Sequence, residues 1–528
     1  MTGADYILKF LLSQGLDTAF GIPGALNAHL YDAIHRTPAF RHVLVRHELG
    51  GAWMADGYAR STNDIGIAFT VPGPGATHAA SAVAGAYTDC SRLLLISSQS
   101  ETSLRGEFRR DLFHGLDQQR LFASITKWSG QAHRADDIPA LLAEAVYHLR
   151  RDRPGPVQVE IPADVFGQEL SAAADAGLPA FPTRVSGRPC CPHGLDEAAA
   201  ALAEASRPLI LAGDGVLHEA AGCELMRLAE RLGAPVVTTV LGKGTVDEMH
   251  PWSLGDSNSP AGSAAYGHHD LLLAVGVRFV QVDTRWPWFF PPRNLIHLDA
   301  DPREIGRVYP TRVGLKGSLR SGIQGLMERL EPDVPPSNGW APLLGALKDR
   351  SDERADAYPL LAALQRALPT DAFLACDVCV PGFWSRRDWI SRQPHRIFYP
   401  GVYVGMGFGL PCGIGAQLAH PEAAVCVIAG DGGFQMTMAE LGTAVQQNLP
   451  LIVVVVNDAG LTLIRRVQDR DFGGRRCEVD LVNPHFAQLA AAYGIDSTRV
   501  ESLSEVETAV RGAAQRRRLT LIEYVPVA

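Results

Sequence analysis

Residues 424–458 read "AVCVIAGDGGFQMTMAELGTAVQQNLPLIVVVVND", in which two apolar runs flank a helical pattern. It opens with a short apolar run, "AVCVIAG" at 424–430, which predicts a strand buried on both faces. The alanine-containing segment "TMAELGTAVQQNL" at 437–449 predicts a helix, and "LIVVVVN" at 451–457 predicts the next strand. A strand, a helix and a strand in this order form a βαβ unit, which belongs to a parallel sheet.

The same alternation continues along the rest of the chain. Apolar strands separated by helical patterns are typical of an α/β protein, and we expect three doubly wound parallel-sheet domains. The other predicted strands are IGIAFTV at 65–71, RLLLIS at 92–97, PVQVEI at 156–161, PLILAG at 208–213, PVVTTV at 235–240, DLLLAVG at 270–276, NLIHLD at 294–299 and TLIEYV at 520–525.

Two stretches rich in Pro, Gly and small residues interrupt this rhythm, at 171–192 and 331–342. Such composition is typical of linkers between domains. We therefore predict an N-terminal domain at 1–170, a central domain at 190–330 and a C-terminal domain at 355–528.

The composition argues against several classes of function. The net charge of -9 argues against a nucleic-acid or anionic-membrane partner. No segment reaches the ~18 apolar residues of a membrane span, and the first residues lack the features of a secretory signal. Nine cysteines, an odd number, favour reduced thiols and a cytoplasmic location. We interpret the C-x-x-C pair, Cys376 and Cys379, as packing residues and not as metal ligands.

Asp431 and Asp458 stand just beyond the two strands of the opening βαβ unit. Open α/β sheets bind ligands at the carboxyl ends of their strands, so we expect these carboxylates to converge. Gly430, Gly432 and Gly433 allow a tight turn and close backbone approach, and the next helix offers its N-terminus to a phosphate. Carboxylates beside a phosphate suit Mg²⁺. The stretch therefore predicts a site for Mg²⁺ and a diphosphate.

A second G-D-G, at Gly213 to Gly215, serves as an internal control. Asp431 and Asp458 are 27 positions apart, and the residue 27 positions after Asp214 is Leu241, which cannot bind a metal. We interpret the second copy as a strand-to-helix turn.

The stretch from Gly430 to Asp458 resembles the thiamin diphosphate motif, which opens with G-D-G and closes near N-N. Further segments, in the same order, resemble the acetolactate synthase branch of the thiamin diphosphate-dependent 2-oxo acid decarboxylase family. They are FGIPGALNAHLYDAI at 20–34, VRHELGGAWMADGYAR at 45–60, FTVPGPGATH at 69–78, RPGPVQVEIPADV at 153–165, DLLLAVGVRF at 270–279 and GMGFGLPCGIGAQLA at 405–419.

The resemblance implies a pyrimidine-binding domain, a central domain and a diphosphate-binding domain. It also implies a homodimer or homotetramer, because the cofactor lies between the first domain of one chain and the last domain of another. Glu48 is the expected catalytic glutamate, which hydrogen-bonds the aminopyrimidine ring.

Other roles carry over by position. Met406 is expected to support the bent cofactor, and the carbonyl of Val404 is expected to accept its aminopyrimidine hydrogen bond. Asp431, Asp458 and the backbone oxygen of Gly460 are the expected Mg²⁺ ligands. Asp458 departs from the family pattern, which has asparagine here, but a carboxylate binds Mg²⁺ at least as well as an amide.

The resemblance implies that a 2-oxo acid loses CO₂ and that an enamine remains on the cofactor. Protonation then releases an aldehyde, whereas a second carbonyl gives an acyloin or acetohydroxy acid. We favour the decarboxylase over this carboligase alternative. A flavin-dependent oxidase and an inactive partner subunit stay open as lesser alternatives.

Two positions argue against acetolactate synthesis. The synthases carry an arginine and a tryptophan that hold the second 2-oxo acid, and those positions align with Val282 and Val467. Neither valine binds a carboxylate or stacks on a substrate. Because "LGDSNSPAGS" at 254–263 lacks the glycine-histidine pair that often accompanies flavin, we do not expect FAD.

Histidines supply candidate proton donors. His114 falls where the synthases have an active-site glutamine, and His78 falls where they have asparagine. Imidazole titrates near neutral pH, so either side chain could protonate the product, or could lie at the surface without a catalytic role. Arg465 and Arg466 either recognise an anionic substrate or face solvent.

Overall fold

The computed structural model describes residues 1–104, 111–175, 189–285, 289, 294–330, 337–352 and 358–526. The chain divides into two compact units. One contains Met1–Val185, Phe373–Val380 and Phe398–Ala528, and the other contains Ser186–Ala372 and Pro381–Ile397.

Three six-stranded sheets form the framework. The first sheet contains β1 (Thr18–Gly21), β2 (Arg41–Leu44), β3 (Gly66–Thr70), β4 (Leu93–Gln99), β5 (Trp128–Gln131) and β6 (Val157–Pro162). The second contains β7 (Pro208–Ala212), β8 (Val236–Thr238), β9 (Ser253–Asp256), β10 (Leu271–Val275), β11 (Leu295–Asp299) and β12 (Val313–Lys316). The third contains β13 (Phe373–Cys376), β14 (Ile397–Phe398), β15 (Val425–Gly430), β16 (Ile452–Val456), β17 (Asp496–Val500) and β18 (Thr520–Tyr524).

The first and third sheets share one strand order. It is β2-β1-β3-β4-β6-β5 in the first sheet and β14-β13-β15-β16-β18-β17 in the third. The second sheet has the order β12-β11-β10-β7-β8-β9, which is the order of a doubly wound nucleotide-binding sheet read from its other edge. Neighbouring strands pair in parallel, for example Gly430 of β15 with Val456 of β16. The predicted α/β fold class is confirmed.

Helices connect the strands. The first segment of the chain contributes α1 (Gly3–Ser13), α2 (Ala28–Arg36), α3 (Glu48–Thr62), α4 (Pro74–Thr88), α5 (Gln118–Phe122), α6 (Ile138–Arg150), α7 (Ala163–Gly167) and α8 (Ala172–Asp175). The middle contributes α9 (Pro192–Glu204), α10 (Asp214–His218), α11 (Gly222–Leu232), α12 (Pro260–Ala265), α13 (Gln281–Thr284), α14 (Leu319–Arg329), α15 (Ala341–Asp352), α16 (Pro359–Ala367) and α17 (Val380–Asp388). The last segment contributes α18 (Gly409–Ala419), α19 (Asp431–Thr437), α20 (Leu441–Gln446), α21 (Thr462–Phe472), α22 (Phe486–Ala492) and α23 (Leu503–Arg516). None of the described helices is both long and apolar enough to cross a bilayer.

All ten strands predicted from apolar runs form, but the helix predicted at 437–449 differs. It begins earlier, at Asp431, because Gly430 already has the extended conformation of an N-cap. A 3₁₀ turn at Met438–Glu440 then separates α19 from α20. The G-D-G motif therefore opens the helix itself and does not precede it as a separate loop.

Alternate residues of buried strands such as β4 enter opposite apolar cores. In β4, Leu93 and Leu95 join one core and Leu94 and Ile96 another. The first of these cores also contains residues of the third sheet, such as Val427. It is therefore shared by the first and third sheets, while two further cores cover the faces of the second sheet.

The shared core depends on a close crossing of α3 and α18. A Cβ atom on Gly57 would lie 2.2 Å from the backbone oxygen of Cys412, and one on Gly415 would lie 2.0 Å from that of Met54. Only glycine fits such a backbone-to-backbone approach. The crossing fixes the N-terminus of α3, where Glu48 lies, relative to the loop that precedes α18.

Candidate active site

Asp431 is the centre of a buried polar cluster at the carboxyl end of β15. Its Oδ1 accepts a hydrogen bond from the backbone N–H of Gly432 at 2.8 Å. Its Oδ2 accepts from the N–H of Gly460 at 3.0 Å and from Nδ2 of Asn483 at 2.6 Å. A carboxylate offers about four lone-pair sites, so these three donors leave capacity for a metal ion.

Asp458 lies at the carboxyl end of the neighbouring strand, β16. Burial raises the pKa of Asp458, and the negative charge of Asp431 raises it further, whereas Thr462 and Arg465 lower it. The carboxylates of Asp431 and Asp458 repel each other when both are ionised. A divalent cation between them would remove their repulsion.

Arg465 holds the loop that contains Asp458. Its Nη1 donates to the backbone oxygen of Asp458 at 3.0 Å, and its Nη2 donates to that of Ala459. The same guanidinium binds Oδ1 of Asp480 at 2.6 Å, and a β-bridge pairs Gly460 with Asp480. Arg465 is therefore a structural clamp, which neither of the sequence-based alternatives foresaw. Arg466 is exposed.

A chain of amide and carboxylate groups supports Asp431 from the sheet side. Nδ2 of Asn483 also donates to Oδ1 of Asn457 at 2.8 Å, and Nδ2 of Asn457 donates to Oε1 of the buried Glu523 at 2.8 Å. Nε2 of Gln435 donates to Oδ1 of Asn483 at 2.9 Å. The side chain of Asn457 is therefore held by Asn483 and Glu523.

Asp377, at the end of β13, organises the loop before α18. Its carboxylate accepts hydrogen bonds from the backbone N–H groups of Val378, Gly407 and Gly409 at 2.6, 3.0 and 2.9 Å. Burial raises the pKa of Asp377 to about 6 even though these donors lower it. Val404 and Met406 lie in the loop that Asp377 fixes.

The glycines of the G-D-G-G turn lie against this loop. A Cβ atom on Gly432 would be 3.5 Å from Cε of Met406, and one on Gly433 would be 2.7 Å from Oδ1 of Asp377. A Cβ on Gly430 would be 2.9 Å from Cβ of Cys379. Met406 therefore lies beside the turn, while residue Val404 is 45% exposed.

Glu48 forms a second cluster, at the carboxyl end of the first sheet. Its Oε2 lies 3.0 Å from Nδ1 of His78. The imidazole rings of His78 and His47 have centroids 4.4 Å apart. Burial lowers the pKa of His47, the positive charge of His78 lowers it further, and Glu48 raises it. Burial raises the pKa of Tyr31, and the negative charge of Glu48 raises it further.

His114 packs against the turn before α4, which lies at the same end of the first sheet as Glu48. A Cβ atom on Gly73 would lie 3.1 Å from Cβ of His114, and one on Gly75 would lie 3.2 Å from Oε1 of Glu48. The turn thus brings His114, Glu48 and His78 to one region. Residues 105–110, which come before His114 in the chain, lie outside the described part of the structure.

The backbone near each cluster is hydrogen-bonded by an acidic residue that belongs to the other sheet's part of the chain. The buried Glu440, beside α20, accepts hydrogen bonds from the N–H groups of Arg46 and His47, at 3.1 and 3.0 Å, just before Glu48. Asp89, after α4, accepts from the N–H groups of Gly401 and Val402 at 2.8 and 3.0 Å. These acidic residues fix the positions of Glu48 and of the Val404 loop.

The second G-D-G is a strand-to-helix turn, as predicted. It joins β7 to α10, and Asp214 begins that helix.

Sequence reasoning missed Asp377, Asn483, Glu440 and the role of Arg465. Asp377 follows a strand end in the same way as Asp431, which is a usable signal. The partners of Glu440 lie nearly 400 positions away, and the chain around Asn483 carries no periodic pattern.

Comparison with known protein families agrees with this geometry. Residues 1–121 match the thiamine pyrophosphate enzyme N-terminal TPP binding domain, residues 195–326 match the central domain and residues 377–524 match the C-terminal TPP binding domain. The chain belongs to the thiamine pyrophosphate enzyme family, whose cofactor is also called thiamin diphosphate.

Individual relatives span nearly the whole chain. A probable 2-ketoarginine decarboxylase of Pseudomonas aeruginosa is 37% identical over 99% of this chain and 94% of its own length. A probable acetolactate synthase large subunit of Methanocaldococcus jannaschii is 32% identical over 99% of this chain and 92% of its own. The acetolactate synthase isozyme 2 large subunit of Escherichia coli is 32% identical over 97% and 93%. The chain is therefore a decarboxylase or a carboligase that uses thiamin diphosphate and Mg²⁺.

The residues present fit these cofactors. Asp431 and Asp458 supply the hard oxygen ligands that Mg²⁺ prefers. Three of the four residues at 430–433 are glycine, and a Cβ atom added to any of them would lie less than 3.0 Å from a neighbouring atom.

Proposed function

We propose that this enzyme decarboxylates a 2-oxo acid and releases an aldehyde. Three imidazoles, those of His47, His78 and His114, lie around the turn next to Glu48. They are the observation that favours aldehyde release over carboligation. Decarboxylation to an aldehyde replaces CO₂ with a proton, so it needs a proton donor where a carboligase needs room for a second carbonyl. Val282 and Val467, which cannot hold an acceptor carboxylate, support the same choice.

Each cluster has a proposed task. Asp431, Asp458 and the backbone oxygen of Gly460 would bind Mg²⁺, and Gly430, Gly432 and Gly433 would let the diphosphate approach. Val404 and Met406 would hold the aminopyrimidine end.

Bound thiamin diphosphate supplies the electron sink that lets a 2-oxo acid lose CO₂. Glu48 would hydrogen-bond the aminopyrimidine, and His114 would donate the proton that the aldehyde gains.

A panel of 2-oxo acids tests the reaction. The panel includes pyruvate, benzoylformate and 2-ketoarginine, the last because of the named relative, each with and without an acceptor aldehyde. We expect CO₂ and the free aldehyde, identified by mass spectrometry, with no acceptor present. CO₂ release that requires an acceptor, with no free aldehyde, would identify a carboligase instead.

Substitution of Glu48 tests the site. Glu48→Gln should lower turnover by at least about 100-fold, because the amide cannot exchange a proton with the cofactor. Glu197→Gln, at an exposed position on α9, is the matched control and should leave turnover unchanged. Circular dichroism shows whether each variant is folded. Unchanged turnover in folded Glu48→Gln would remove Glu48 from the site.

We also propose that the active enzyme is a homodimer or a homotetramer, with the Glu48 cluster of one chain facing the Asp431 cluster of another. Three domains, at 1–170, 190–330 and 355–528, and a cytoplasmic location remain part of the proposal. The family resemblance supports these assignments.

A further inference from the structure

Three metal-binding side chains meet at the start of α3. One ligand atom from each of His47, Glu48 and His78 lies within 4.8 Å of the other two. Among the residues that the structure describes, no other group of three His, Cys, Asp or Glu side chains meets this criterion. The cluster contains two nitrogen donors and one carboxylate, which differs from the all-oxygen donors around Asp431.

The donor atoms are available to an ion. His47 uses Nδ1 to accept a hydrogen bond from the N–H of Leu49, which leaves Nε2 as a ligand. Within one chain, the side chain of His78 is 48% exposed and that of Glu48 is 13% exposed. Nδ1 of His78 and Oε2 of Glu48, now 3.0 Å apart, already lie near ligand-to-ligand spacing.

The geometry suits a tetrahedral ion. Two imidazoles and one carboxylate with an open fourth position form a common Zn²⁺ ligand set. Bonds of ~2.1 Å place the ligand atoms of a tetrahedral site about 3.4 Å apart, so small side-chain rotations complete it. Mg²⁺ prefers oxygen ligands and octahedral geometry, so it would not compete well here.

The backbone under the cluster is rigid. His47 caps α3 and Glu48 begins it, while His78 lies on α4. The two helices are in close contact, since a Cβ atom on Gly85 would lie 2.3 Å from the ring of the fully buried Trp53. Ligands held on packed helices lose little freedom when an ion binds.

We propose that His47, Glu48 and His78 form a binding site for a transition-metal ion of the Zn²⁺ type. The ion and thiamin diphosphate exclude each other at this site, because both use the carboxylate of Glu48. The exclusion rests on the function proposed above, whereas ion binding rests on the three side chains alone. Such an ion inhibits the enzyme by occupying the catalytic glutamate.

Cobalt titration of the full chain tests ion binding. The protein is freed of cofactor and kept in excess Mg²⁺ to fill the oxygen site, and Co²⁺ is added while its visible absorption is recorded. We expect one tetrahedral Co²⁺ per chain, displaced by Zn²⁺. His78→Asn should weaken binding at least about tenfold because it removes one of three ligands.

His35→Asn is the matched control for this titration. His35 is exposed on α2, outside the cluster, so the same substitution there should leave Co²⁺ binding unchanged. Equal affinity of the wild-type protein and His78→Asn, or no tetrahedral spectrum, would overturn the proposal.

A competition experiment tests the exclusion. Thiamin diphosphate with Mg²⁺ should raise the Co²⁺ concentration needed for half-saturation, and Zn²⁺ should inhibit the holoenzyme until a chelator selective for it is added. Co²⁺ binding that is indifferent to thiamin diphosphate would overturn the exclusion. If Glu48→Gln keeps full turnover, the proposed function fails, while the cobalt titration still reports on the three-residue site.

Discussion

Arg465 illustrates how one residue can hold a metal site without touching the metal. Its guanidinium binds the backbone oxygens of Asp458 and Ala459 and the carboxylate of Asp480. Five N–H donors in a planar fork allow this, and lysine could not reproduce it. The loop that supplies two of the expected Mg²⁺ ligands depends on the clamp.

Arg465→Gln should therefore raise the Mg²⁺ concentration that gives half-maximal activity by about 10-fold or more, the usual effect of losing a group that supports metal ligands. The measurement is a Mg²⁺ titration of activity at saturating thiamin diphosphate. Arg466→Gln, at the exposed neighbouring position, is the control and should match the wild type. If both variants need the same Mg²⁺ as the wild type, Arg465 does not support the metal loop.

The two expected carboxylate ligands should tolerate substitution differently. Asp431→Asn should abolish Mg²⁺-dependent activity, because an amide nitrogen in place of either oxygen would face the N–H donors of Gly460, Asn483 or Gly432. Asp458→Asn restores the amide that is common in the family and should change the Mg²⁺ requirement by less than about threefold. Isothermal titration with Mg²⁺ and thiamin diphosphate measures both. Equal losses in the two variants would contradict this ranking.

The sequence indicates those site residues whose position follows from the pattern of apolar strands. Asp431 and Asp458 are predictable because both stand at the ends of apolar strands in one βαβ unit. Asn483 and Glu440 are not, because their partners depend on tertiary contacts that leave no pattern in the sequence. The pair of Glu48 and His78, 30 positions apart, is visible only once α3 and α4 are packed.

Strand β13 and helices α18 and α19 meet at one junction. The buried carboxylate of Asp377 accepts three backbone hydrogen bonds there and lies against Gly433 of α19. Its position decides where the Val404 loop lies relative to the G-D-G turn.

The pKa of Asp377, about 6, gives a pH dependence. A carboxyl whose folded pKa exceeds its unfolded value near 3.8 binds protons more tightly in the folded state, so its contribution to stability falls as pH rises through this window. Between pH 5 and pH 7 the fall should be about 1 kcal/mol. The difference in unfolding free energy between the wild type and Asp377→Asn should shrink by this amount. An increase with pH would contradict the assignment.

Gly433→Ala should separate α19 from Asp377, because the new Cβ would lie 2.7 Å from Oδ1 and 3.0 Å from Cγ. Crowding of this kind costs about 1–3 kcal/mol and should weaken thiamin diphosphate binding. Gly345→Ala is the control, since a Cβ there meets nothing within 4 Å inside helix α15. It should stabilise the protein by up to about 1 kcal/mol. Calorimetry with and without cofactor measures both effects, and unchanged cofactor affinity in Gly433→Ala would contradict the predicted separation of α19 from Asp377.

The strands that the sequence did not indicate share a physical cause. Six of the eight are the edge strands of the three sheets: β2, β5, β9, β12, β14 and β17. An edge strand is covered on fewer sides, so it lacks a continuous apolar run, as the mostly exposed β2 and β17 show. The other two, β1 and β13, have only four residues each.

At the scale of the whole molecule, the proposed arrangement of active sites between chains has a quantitative consequence. Glu48→Gln and Asp431→Asn should each be inactive alone. In a mixed dimer, one site contains both substitutions and the other contains neither. Random exchange of equal amounts of the two variants should restore about a quarter of wild-type activity per chain, since half of the dimers are mixed and each has one intact site.

The measurement is activity after subunit exchange, with exchange followed by native mass spectrometry. Mixing each variant with itself is the control and should restore nothing. An inactive mixture that contains half mixed dimers would show that each site forms within one chain.

The first and third sheets share one strand order, and one helix connected to each sheet takes part in the crossing of α3 and α18. Helix α3 follows β2 and α18 follows β14, so the two helices that cross are equivalent elements of equivalent sheets. The supports are reciprocal too, since Glu440 holds the backbone before α3 and Asp89 holds the backbone near α18. This is the arrangement expected after duplication of one ancestral domain. After such a duplication, divergence would leave one copy with a glutamate and imidazoles and the other copy with paired aspartates.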